Sequence, residues 1–183
     1  PIKSSAASDV YKRQAKFLQA RLGAEVMSQT IYAYISDGGV QEEISQGAGR
    51  VAGTLGLDNL IMFYDANNVQ LSTTVEEVDT EDVQKKYEAW GWKVLHINGN
   101  DVAQIRAALT EAKAEKQRPT LIIGDTLMGK GAMGPDQSSY ENKVSTHGQP
   151  LTAAGASIAE TIKNLGGDPE HPFAVFPEVE ALY

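Results

Sequence analysis

An aspartate, Asp37, and an asparagine, Asn67, stand thirty positions apart, each just past an apolar run, in "YISDGG" and "YDANN". A strand, a helix and a returning strand occupy about that length, so one such unit carries both residues to the same edge of a sheet. There they can share a ligand. Carboxylate, amide and backbone carbonyl oxygens are the hard donors that Mg²⁺ or Ca²⁺ takes, and Mg²⁺ completes its octahedron with water and substrate phosphates. Gly38 and Gly39 fit the same chemistry, because backbone without a Cβ lets a diphosphate approach the N–H groups that open the following helix. Taken singly, "SDGG" and "DANN" are ordinary turns. Their spacing, on successive strands, is what points to a common ion.

The elements that must position these residues are legible as alternation. Four runs rich in β-branched and aromatic residues read as strands: "TIYAYI" at 30–35, "NLIMFYD" at 59–65, "WKVLHI" at 92–97 and "TLIIGD" at 120–125. Helical patterns lie between them at 41–55, 82–91 and 101–116, with another at 15–22 and a small-residue helix at 152–164. The third has Val102, Ile105, Leu109 and Ala112 on one face and Asp101 placed to cap its start. Apolar strands alternating with helices predict an α/β fold, a parallel sheet with helices on both faces. Ligands in such sheets gather at the carboxyl ends of the strands. "NGND" at 98–101 is a turn with a helix cap, and Tyr87, Trp90 and Trp92 are expected in the core or at an interface. The polar stretch 128–147 has the length of a functional or disordered loop.

With 183 residues the chain supports one compact core. Its net charge of −8, with Lys and Arg scattered, argues against a phosphate-backbone surface for nucleic acid. The apolar runs, such as "LIMFY" at 60–64, are too short to span a membrane. The absence of cysteine excludes thiolate and disulfide chemistry and accords with a cytoplasmic location.

The run "SDGGVQEEISQGAGRVAGTLGLDNLIMFYDANNVQLS" resembles the thiamine diphosphate motif, a Gly-Asp-Gly followed about 30 residues later by Asn. Its flanks, and "STHGQPL" at 145–151, resemble transketolase. The resemblance implies that Asp37 and the Asn67 side chain bind Mg²⁺, or Ca²⁺, with the Val69 carbonyl as third protein ligand. It implies that the Gly38 backbone contacts the diphosphate, that Leu71 lies against the cofactor rings, and that His147 binds the diphosphate and faces the substrate as a catalytic residue. Glu42 matches a glutamate at the family's subunit contact. Ser36 replaces the first glycine of the motif, and Gly47 stands where some members have a second interface glutamate.

The implied reaction moves a two-carbon ketol unit from a ketose phosphate to an aldose phosphate, in a homodimer. Residues 1–14 are expected to be a leader foreign to the fold or without fixed structure. Residues 15–165 would form part of the diphosphate- and metal-binding domain, and 166–183 a linker towards a second domain outside this chain. Turnover by the 183 residues alone is not expected. Two alternatives remain: another thiamine diphosphate enzyme, such as a 2-oxo acid dehydrogenase subunit or deoxyxylulose phosphate synthase, and a non-catalytic scaffold.

Overall fold

The four apolar runs form one sheet whose neighbouring strands are all parallel, in the order β1-β2-β4-β3. The structure, a computed structural model, describes residues 5–183, with side chains from residue 14 onward. The strands are β1 (Ile31–Ser36), β2 (Leu60–Ala66), β3 (Lys93–Asn98) and β4 (Thr120–Asp125). Each falls within one residue of its expected span. Register places Ser36 beside Asp65 and Ala66 beside Asp125, so three strands end level.

The helices are α1 (Ser5–Leu22), α2 (Asp37–Gln41), α3 (Glu43–Thr54), α4 (Val83–Ala89), α5 (Val102–Ala114), α6 (Ile158–Asn164) and α7 (Pro177–Glu180). Residues 1–4 of the expected leader lie outside the described residues, and α1 begins at Ser5. The helix expected at 41–55 starts earlier and breaks at Glu42, whose backbone is extended at φ −66° and ψ 130°. Asp82 and Asp101 cap α4 and α5 through their carboxylates. On α5 the expected stripe is corrected at its first member: Val102 is exposed, and Ala108 and Ala112 are the buried residues. The helix expected from 152 begins only at Ile158, because Gly155 takes φ +94° and Ser157 caps the helix, accepting from the Glu160 N–H.

The crossovers explain which face each helix covers. The steps β1 to β2 and β2 to β3 run one way across the sheet, and β3 to β4 runs back. Right-handed connections then put α2, α3 and α4 on one face and α5 on the other. Side-chain alternation agrees. Leu60, Met62, Tyr64, Leu121 and Ile123 pack with Val40, Ala52, Tyr87 and Trp92, whereas Ile61 and Ile122 pack with Ala108 and Ala112. Tyr87 and Trp92 are core residues, their rings 5.2 Å apart edge to face. Trp92 donates from Nε1 to the Gly49 carbonyl at 2.8 Å, and a Cβ at Gly53 would run into the Trp90 carbonyl. The glycines of α3 therefore let it approach the aromatic cluster. On the α5 side, Tyr32 and Tyr34 of β1 stay exposed.

The chain divides into two units, Pro1–Asn67 with Val75–Thr126, and Asn68–Thr74 with Leu127–Tyr183. The sheet belongs to the first. In the second, the polar stretch 128–147 is tied by hydrogen bonds within itself and to α6. Glu141 accepts from the Gly131 N–H at 2.8 Å, Asn142 from the Met128 N–H at 3.0 Å, and Thr161 from the Met133 N–H at 3.0 Å. Its last part keeps Phe173 and Leu182 exposed. Among the described residues no helix is long and apolar enough to cross a membrane.

Candidate functional site

Asp37 is the first residue after β1 and sits in the opening turn of α2, where a negative charge complements the helix end. It is 3 % exposed. A buried carboxylate is costly unless its oxygens are satisfied. The Tyr64 hydroxyl donates to Oδ1 at 2.6 Å, and the Asn67 backbone N–H donates to Oδ2 at 3.2 Å. The level strand ends make this possible: Tyr64 lies beside Ile35, and Asn67 follows Ala66 off the end of β2. Asp37 and Asn67 thus meet at the sheet edge, Gly38 beside them in sequence.

Tyr64 is a member of this cluster that the sequence pattern places only within a strand. Its burial, its hydrogen bond to Asp37 and the charges of Asp37, Asp79 and Asp65 push its phenol well above the ordinary range, so it remains a donor. The available signal was a tyrosine on the buried face near the end of its strand, since a buried hydroxyl needs a partner. Next to it, on the opposite face, Asp65 accepts from the Tyr34 hydroxyl and from Thr126. Partial desolvation, that hydrogen bond, and the charges of Asp65 and Asp37 push Tyr34 up to about 12. Further along the edge, His96 Nε2 and Asp125 Oδ1 lie 2.9 Å apart, both exposed.

The two motif glycines differ in role. A Cβ at Gly38 would meet nothing within 4 Å, so the space beside it is open to a ligand. A Cβ at Gly39 would lie 2.8 Å from Ile35 Cγ1, so packing of α2 on β1 requires that glycine. The expected run of free N–H groups is short, because α2 has five residues; Ser36 makes no side-chain cap. Glu42 is exposed at the break between α2 and α3.

The other expected site residues belong to the second unit. Val69 is 4 % exposed, follows Asn68 at φ 64°, and bridges to Thr74 in a tight turn. Leu71 is exposed and lies close to Gly148, where a Cβ would be 3.3 Å from Leu71 Cδ1. The residue expected against the cofactor rings thus neighbours the glycine that follows His147. His147 ends a 3-10 turn at Val144–Thr146, and its Nδ1 is buried with no hydrogen-bond partner. A buried ring nitrogen without a partner carries a desolvation cost that a ligand group can relieve.

In the first unit, a buried carboxylate of the hard-oxygen type and open space beside Gly38 suit a divalent ion with a phosphate-bearing cofactor; in the second, the unpartnered ring nitrogen of His147 suits a polar ligand group. Among the described residues no group of three His, Cys, Asp or Glu is placed to hold a metal. Such an ion would therefore depend on amide, carbonyl, phosphate or water oxygens as well as on Asp37.

The fold and the residues at its strand ends define an α/β domain of the kind that receives a ligand at the carboxyl edge of a parallel sheet. The family profile described as "Transketolase, thiamine diphosphate binding domain" matches residues 2–183, and the chain belongs to that family. The chain is 39 % identical over 161 residues to the transketolase of Kluyveromyces lactis, covering 87 % of this chain and 22 % of that protein. It is 41 % identical over 132 residues to transketolase 1 of Pasteurella multocida, covering 72 % of this chain and 19 % of that one. The crystal structure of transketolase from Campylobacter jejuni superposes with a TM-score of 0.82 at 33 % identity, over 95 % of this chain and 26 % of that one. The Pichia stipitis transketolase, in complex with sedoheptulose-7-phosphate, gives 0.74 at 34 % identity, over 83 % and 22 %. The chain thus spans about a fifth to a quarter of the length of these relatives.

Proposed function

We propose that this chain is the diphosphate-holding part of a transketolase, an enzyme that transfers a two-carbon ketol unit from a ketose phosphate to an aldose phosphate. The observation that carries the reading is the meeting of Asp37 with the Asn67 backbone at the sheet edge, within a family match spanning nearly the whole chain. The Asp37 carboxylate and the Asn67 side chain hold Mg²⁺, with Ca²⁺ as an alternative ion, and the resemblance adds the Val69 carbonyl. The Gly38 backbone takes the diphosphate, supported by the open space at its α-carbon. Leu71 would lie against the cofactor rings, and His147 would hydrogen-bond the diphosphate and face the substrate. The bound cofactor supplies a nucleophilic thiazolium carbon for the ketose carbonyl. Transketolase relatives favour this reading over other thiamine diphosphate enzymes.

Turnover belongs to the whole protein, acting as a cytoplasmic homodimer on sugar phosphates of the pentose phosphate pathway. The 183-residue chain is expected to bind cofactor without sustaining turnover. Calorimetric titration of the folded chain with thiamine diphosphate and Mg²⁺ tests this. Metal-dependent binding that disappears in Asp37→Ala is expected. No heat from the folded wild-type chain overturns the reading and leaves the scaffold alternative.

A further inference from the structure

Asp37 accepts from donors of different kinds, a backbone amide and a phenol among them. The Asn67 N–H belongs to the backbone and reaches Oδ2, whereas the Tyr64 phenol reaches Oδ1. Both carboxylate oxygens are engaged, one by a phenol and one by a backbone amide. The terminal torsion of aspartate is broad and roughly two-fold, so a single donor does not fix the plane of the group. Two donors on different oxygens do.

Tyr64 is itself immobilised. It is 6 % exposed, lies in β2 beside Ile35 of β1, and packs in the cluster that contains Val40 of α2 and Leu121 and Ile123 of β4. Val40 is three positions after Asp37, so the same short helix carries both the carboxylate and an apolar anchor of that cluster. The hydroxyl is therefore a fixed point of the core from which the orientation of Asp37 is set.

Resting on the proposed function, we propose that Tyr64 is a positioning residue: its hydroxyl holds Asp37 in the orientation that receives the divalent ion. It touches neither ion nor substrate. Partners of this kind typically alter metal affinity by about 10–100-fold when removed.

The test is calorimetric titration of the 183-residue chain with Mg²⁺, and separately with Ca²⁺, at saturating thiamine diphosphate, with melting curves of the metal-free proteins. Tyr64→Phe is expected to weaken binding of both ions by roughly 10–100-fold. Tyr34→Phe, which removes a hydroxyl bonded to Asp65 instead, is expected to leave metal affinity unchanged, and Asp37→Ala to abolish binding. A merely structural tyrosine would lower the melting temperature of Tyr64→Phe without moving its affinity, and that result overturns the proposal while the proposed function stands. No binding by the wild-type chain overturns both. If Tyr64→Phe does not fold, 3-fluorotyrosine at position 64 gives the second reading. Its fluorine resonance is expected to shift on adding Mg²⁺ to the otherwise wild-type chain and to stay fixed in Asp37→Ala. An unmoved resonance at saturating Mg²⁺ overturns the role of Tyr64.

Discussion

Substituting alanine at the two adjacent motif glycines separates packing from binding. At Gly39 the added methyl would stand 2.8 Å from Ile35 Cγ1, close to the branch point of a strand side chain, so α2 must shift away from β1. Overpacking of this kind costs about 1–3 kcal/mol. Alanine recovers about 0.5–1 kcal/mol over glycine within a helix. The net loss for Gly39→Ala is about 0–2.5 kcal/mol, a fall in melting temperature of up to about 10 °C at this chain length. At Gly38 the methyl meets nothing, so only the helix term remains and the melting temperature is expected to rise by about 1–4 °C. Binding goes the other way. On the proposed function the diphosphate approaches the Gly38 N–H through the space the methyl would fill, and holding it beyond hydrogen-bond reach of that donor costs about 1.5–3 kcal/mol, roughly 10–100-fold in affinity. Differential scanning calorimetry and titration with thiamine diphosphate at fixed Mg²⁺ measure the two effects. A Gly38→Ala protein that melts lower than wild type while Gly39→Ala melts unchanged would refute the assignment of space to the first glycine and contact to the second.

Two further outcomes follow from the same geometry. Trp92→Phe removes the 2.8 Å bond to the Gly49 carbonyl along with part of a fully buried ring, and is expected to destabilise by about 2–4 kcal/mol, read from urea unfolding. The Asp101 carboxyl accepts from the Gln104 and Ala103 N–H groups, and these bonds, chiefly with Gln104, hold it below its ordinary range. A carboxyl depressed in the fold contributes stability above its unfolded value, near 4, and loses it as pH falls through the folded value. Asp101→Asn is therefore expected to flatten the decline of melting temperature on the acid side of about pH 4, checked by circular dichroism across that window.

The strands were readable because β-branched and aromatic runs have few other uses in a chain with so much helix-forming sequence between them. Their order was not. Alternation establishes parallel strands and the hand of each crossover, but nothing local tells β4 to enter between β2 and β3. The break at Glu42 was hidden for a related reason, since neither glycine nor proline marks that residue and the turn is set by packing on either side. Val102 obeyed the helical period but falls in the first turn of α5, beyond the part that meets the sheet. Asp37 and Asn67 were legible as a pair because strand ends are predictable meeting places. Tyr64 was not, because alternation gives its face but not the reach of its hydroxyl.

The level ends of β1 and β2 make the meeting of Asp37 with Asn67 a property of register. Sliding β2 by one residue would turn Tyr64 to the opposite face and displace Asn67 by about 3.3 Å along the sheet. The turn at Gly56, between α3 and β2, lies outside both strands, so an insertion there leaves their paired residues unchanged in number. The same insertion inside either strand does not. Over evolutionary time this stretch should accept new side chains at many positions while its length inside the two strands stays fixed.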